Sequence, residues 1–197
     1  MKTDIYKLRN NSDDYKIIPE EAERTARYIG LDEHSSLRLR LLSEELVCML
    51  PKLLAIGSGE FYAETRGSRC ELHLKITPKD MSDVDRDQIL SISKTGKNAA
   101  VTGIISKIWA AVEVMLDSQA KVAKEMPYEF YEMGMSPEYN VYQVWSLNSY
   151  RDNVYKESND TAREWDELEK SILGKIADDV TVGILNGIIE ITVVKTF

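Results

Sequence analysis

Residues 37–54, LRLRLLSEELVCMLPKLL, constrain the fold more than any other stretch of the chain. Leu39, Leu42, Leu46, Met49 and Leu53 follow i, i+3, i+4, i+7 spacing and form one apolar stripe on a helix. A long helix with one apolar face has to bury that face against a second layer. At about 100° per residue, Glu45 lies on the shoulder of the stripe, about 60° from Leu42, and Glu44 points nearly the opposite way. A pocket packed on this helix would therefore meet Glu45 and not Glu44. Pro51 lacks a backbone donor and is expected to bend the helix near its end.

The second layer is written in two hairpins. Phe61, Ala63 and Thr65 alternate on one limb, and Cys70, Leu72, Leu74 and Ile76 on the other, with Arg66-Gly67-Ser68-Arg69 as the turn. At the end of the chain, Asn186-Gly187 separates two alternating apolar runs, the strongest short hairpin signal. A helix is expected to begin near Pro19, with Glu20, Glu21 and Glu23 in its first turns, Ala22, Ala26 and Ile29 on one face and Gly30 as its stop. The N-terminal dozen residues read as loosely structured. Asp32 or Ser35 caps the leucine-rich helix. A later helix carries Ile104, Ile105, Ile108, Val112 and Met115 on one face. YNVYQVWSL alternates as a strand, and SNDTAREWDELEKSILGKIA reads as one amphipathic helix with Trp165, Leu168, Ile172 and Ile176 on a face.

The order of helices, hairpin, helix, strand, helix and hairpin gives an α+β two-layer sandwich. A mixed, mostly antiparallel sheet is covered on one face by helices. One domain spans residues 1–197, with a Tyr-rich insertion at about 118–158. The rings of that segment are read first as packing against the core, and second as a protein-contact surface.

Several classes are excluded. No apolar run approaches the ~20 residues that span a bilayer, so no membrane association is expected. The polar start MKTDIYKLRNNSDDYK lacks the apolar stretch of a secretory signal, which points to the cytoplasm. Net charge is −8 and no Lys/Arg run is present, so nucleic acid is not an expected partner. Cys48 and Cys70 read as buried or half-buried small residues in apolar patterns, not as nucleophiles. His34 and His73 lie far apart with no Cys/His ligand spacing around them, so no metal site is expected.

The stretch SSLRLRLLSEELVCML, followed by a hairpin and closed by a helix and hairpin over 161–197, resembles the histidine-kinase-like (GHKL) ATPase superfamily. The resemblance is best to its small anti-sigma-factor-kinase-like single domains. It implies that Glu45 stands where the family has a water-activating Glu, and that Met49 stands where it has a magnesium-holding Asn. A thioether does not satisfy Mg²⁺, which takes hard oxygen ligands. Asp80, after the strand ELHLKI, takes the place of an adenine-binding Asp, although the glycines of that motif do not follow. Thr95, Gly96 and Lys97 take the place of a phosphate-contacting lid before a helix. The functional expectation is a catalytically inactive ATPase-like protein that regulates through a protein partner, with ATP or ADP as its ligand if it keeps one. The alternative is an ATP-binding protein or anti-sigma-factor-type serine kinase with an atypical metal site.

Overall fold

The computed structural model describes residues 1–9, 12–78, 104–105, 107–112, 114–115, 143–156, 171–185 and 187–197. The strands are β1 (Tyr6–Leu8), β2 (Gly57–Arg66), β3 (Arg69–Pro78), β4 (Gln143–Ser146), β5 (Asp179–Leu185) and β6 (Ile188–Thr196). The labelled helices are α1 (Ser12–Tyr28), α2 (Glu33–Ile56), α3 (Leu147–Lys156) and α4 (Ile172–Ile176). Helical residues also run within 104–115.

The strands form one six-stranded sheet in the order β1-β2-β3-β6-β5-β4. Every pairing among them is antiparallel, where a mixed sheet was expected. The cause is in the connection between β1 and β2. A single crossover helix would return the chain to run parallel, but α1 and α2 are two helices joined by a short turn. The pair brings the chain back to the end of the sheet where β1 left it, and β2 starts in the opposite direction. The chain thus has two halves of similar order, each a strand, helices and a hairpin, which meet at β3 and β6.

The leucine stripe packs as its spacing dictates. Leu39, Leu42, Leu46, Met49 and Leu53 are all in the core, opposite Phe61, Ala63, Cys70, Leu72, Leu74 and Ile76 of the first hairpin. Val180, Val182, Ile184, Ile189, Ile191 and Val193 continue the same face across β5 and β6. Ile104, Ile108, Val112 and Met115 close this side, as expected of their helical spacing. Gly30, Gly67 and Gly187 take the left-handed conformation at the three turns where they were expected to matter. Asp32 is the N-cap of α2 and accepts from Ser35 N–H at 2.7 Å.

Four local expectations are corrected. The N-terminal residues are not loose: Tyr6–Leu8 pair with β2, and α1 begins at Ser12 with Pro19 inside it. Burial of Ile18, Ala22 and Ala26 on both sides of the proline helps offset the lost helical hydrogen bond. Cys48 is exposed, because it lies one turn beyond the solvent-facing Glu44, whose carbonyl its thiol approaches at 3.5 Å. The expected helix over 158–177 does not run unbroken, since Ser171 is extended and caps a new helix, α4. Finally, α3 follows β4 directly where no helix was foreseen, and Trp145 and Tyr150 pack against the core.

Candidate functional site

Glu45 leaves the shoulder of α2 and points at the first turn of α4. Ser171 Oγ donates to Glu45 Oε1 at 2.8 Å, and the Leu173 backbone N–H donates to Oε2. Ser171 also accepts from the Gly174 N–H at 3.2 Å, so hydroxyl and carboxylate together satisfy the open donors of the helix start. Burial pushes the Glu45 carboxyl above its ordinary value. The bonds from Ser171, Leu173 and Ile172 oppose that rise without cancelling it.

The far end of α4 is held from α3. Arg151 Nη2 donates to the Gly174 carbonyl at 2.6 Å and to that of Ala177 at 3.2 Å, and Nη1 donates to Asp178 O at 3.2 Å. A five-residue helix is too short to be stable alone. Here an acid from α2 takes its N–H end and a guanidinium from α3 takes its carbonyl end, each with the sign that suits the peptide dipoles.

Met49, one turn beyond Glu45, lies in a different environment. It is 1% exposed and belongs to the core. Residues 45 and 49 therefore serve a cap and a core contact. Asp80, Thr95, Gly96 and Lys97 lie outside the described residues, as does most of the Tyr-rich segment. Neither cysteine is set up as a nucleophile. Burial and the nearby Glu45 and Glu44 charges raise the Cys48 thiol, and burial pushes Cys70 up to about 11.

A second polar cluster, which motif reasoning passed over, lies on the sheet face turned away from the leucine stripe. Register puts Glu64 directly opposite Glu71, and Tyr62 opposite His73, which in turn faces Thr192. The Tyr62 and His73 rings stack with centroids 4.5 Å apart and planes 9° apart. His73 Nδ1 lies 3.3 Å from Glu190 Oε1 and 3.2 Å from Thr192 Oγ1, and Nε2 lies 3.4 Å from Glu71 Oε2. The available signal was the Glu-x-His spacing of 71 and 73 on one strand, with Glu64 supplied by the hairpin partner.

Comparison of the chain with family models, with curated proteins and with solved structures gives no match. What the structure itself carries is an α+β fold with a six-stranded antiparallel sheet and, among the described residues, no helix long and apolar enough to cross a membrane.

Proposed function

We propose that this protein is a GHKL ATPase-like domain without ATPase or kinase turnover, working through contact with a protein partner. The observation that carries the reading is the burial of Met49 in the core one turn from Glu45. A residue facing inward there leaves α2 without an oxygen ligand for Mg²⁺, and the neighbouring carboxylate is engaged at α4. The family reading is supported by the order helix pair, hairpin, helix, strand, helix and closing hairpin, with the motif helix second in the pair. The partner reading is favoured by Val144, Leu185 and Ile188, which are 37–46% exposed and share the β4–β5–β6 corner of the outer sheet face.

Restoring the amide tests the reading. Met49→Asn buries an unpaired polar group in the core, so it lowers the melting temperature and yields no magnesium-dependent response to ATP. Magnesium-dependent phosphate release from ATP by the wild-type protein overturns the proposal; release by a well-folded Met49→Asn protein alone would overturn only the placing of residue 49 away from a pocket.

A further inference from the structure

We propose that Glu64, Glu71 and His73 form a binding site for one divalent cation of the zinc class on the outer face of the sheet. Each residue offers one ligand atom, and the three atoms lie within 4.8 Å of one another. The site is built from the β2–β3 hairpin alone, and it is independent of Glu45 and of any nucleotide.

Two observations point to a cation there. First, Glu64 and Glu71 are directly opposite in the ladder, an arrangement that like charges disfavour, and each already draws a cation, Lys2 at 3.1 Å and Arg69 at 2.7 Å. Second, His73 is 9% exposed and its Nε2 is a buried nitrogen with no hydrogen-bond partner, aimed at Glu71. The opposite side of the ring supports one arrangement of the neutral imidazole. Glu190 has only acceptor oxygens, so in the neutral ring the Nδ1 proton faces it and Nε2 keeps its lone pair on the side of Glu71. A lone pair among acceptors is unfavourable until a proton or a metal ion joins them. A histidine that donates its other N–H to a carboxylate is also the usual support of a metal-ligating imidazole.

One ligand separation already matches the ion. Ligand atoms about 2.1 Å from a tetrahedral zinc stand about 3.4 Å apart. His73 Nε2 and Glu71 Oε2 are separated by 3.4 Å. Arg69 occupies only Oε1 of Glu71, at 2.7 Å, and leaves Oε2 for the ion. Imidazole with two carboxylates suits zinc or manganese better than magnesium. Lys2 is the competitor: its ammonium lies 3.1 Å from Glu64 Oε1 and 3.8 Å from the Tyr62 ring centroid. Its side chain is 47% exposed, and it must swing off the Tyr62 ring when a divalent ion takes Glu64.

The test is equilibrium dialysis of the full chain against micromolar Zn²⁺, with metal counted by mass spectrometry. The background is His34→Gln with Cys48→Ser, which removes two exposed surface donors. One zinc per chain is expected. His73→Gln and Glu71→Gln should each weaken it at least ~10-fold, Glu190→Gln should weaken it ~10-fold through the imidazole, and Lys2→Gln should tighten it several-fold. Circular dichroism checks each variant; if His73→Gln does not fold, Glu71→Gln and Lys2→Gln decide. Absence of bound zinc overturns the proposal. So does binding that survives Glu71→Gln and is indifferent to Lys2→Gln, which would mean an adventitious ion only.

Discussion

Replacing Glu45 separates a structural carboxylate from a catalytic one. Glu45→Ala removes the acceptor for the Ser171 hydroxyl and for the Leu173 N–H, and Leu173 is 0% exposed. Each donor left buried without a partner costs about 1–3 kcal/mol, while deleting a half-buried charge returns part of that. The net expectation is about 2 kcal/mol of destabilisation, or roughly 4–8 °C for a domain of this size. Glu45→Gln keeps a carbonyl oxygen for Leu173 and offers an amide N–H to Ser171 Oγ, so it should stay within about 1 kcal/mol of wild type. The pH dependence has a definite sign. Because the folded state raises the Glu45 pKa above its ordinary 4.5, its contribution is fully present below that value and is lost as pH rises through the folded pKa. Thermal melts of wild type and both variants from acid to neutral pH should therefore show Glu45→Gln gaining on wild type as pH rises. An unchanged melting temperature for Glu45→Ala would refute the capping role and return Glu45 to the list of free carboxylates.

Other perturbations test the frame around it. Gly57→Ala should leave little folded protein, because a Cβ there would sit 2.1 Å from the Thr77 carbonyl oxygen, and soluble yield with circular dichroism reads this. Gly59→Ala should be milder, about 1–3 kcal/mol in a urea melt, since its Cβ would meet the flexible end of Leu54 at 2.6 Å. Arg151→Ala should cost about 2 kcal/mol in the same melt by freeing the carbonyls of Gly174, Ala177 and Asp178. For Asp178, burial acts upward, but Lys195 at 2.7 Å and the Thr196 N–H at 2.6 Å outweigh it and hold the carboxyl below 3.8. Wild type should therefore be more stable than Asp178→Asn above that pH and lose the advantage as pH falls through the folded pKa.

The parts of the fold legible in the sequence are those with a period. The α2 stripe, both hairpins and the helical residues within 104–115 follow from spacing alone, because burial on one face leaves one arrangement. The start of α1 was misread because Pro19 is a strong local signal, whereas the burial of Ile18, Ala22 and Ala26 around it is a tertiary one. Cys48 was misread by residue type where its helix position, one turn after Glu44, held the answer. The partner of Glu45 was out of reach: Ser171 and Leu173 are more than a hundred residues away, and no local rule places α4 beneath α2. His73 fell between the two kinds of signal. Its neighbours are carboxylates brought in by strand register, so a search for Cys/His spacing passes over it.

The most direct test of the central claim is the melting temperature of the purified protein with millimolar ADP or ATP, with and without Mg²⁺. A ligand at a hundred times its dissociation constant stabilises by about 2.7 kcal/mol, several degrees here. With Met49 in the core and Glu45 bound to α4, the account predicts that added Mg²⁺ produces no further rise with either nucleotide. A rise of several degrees that requires Mg²⁺ would contradict it and restore an ATPase or kinase site to this fold.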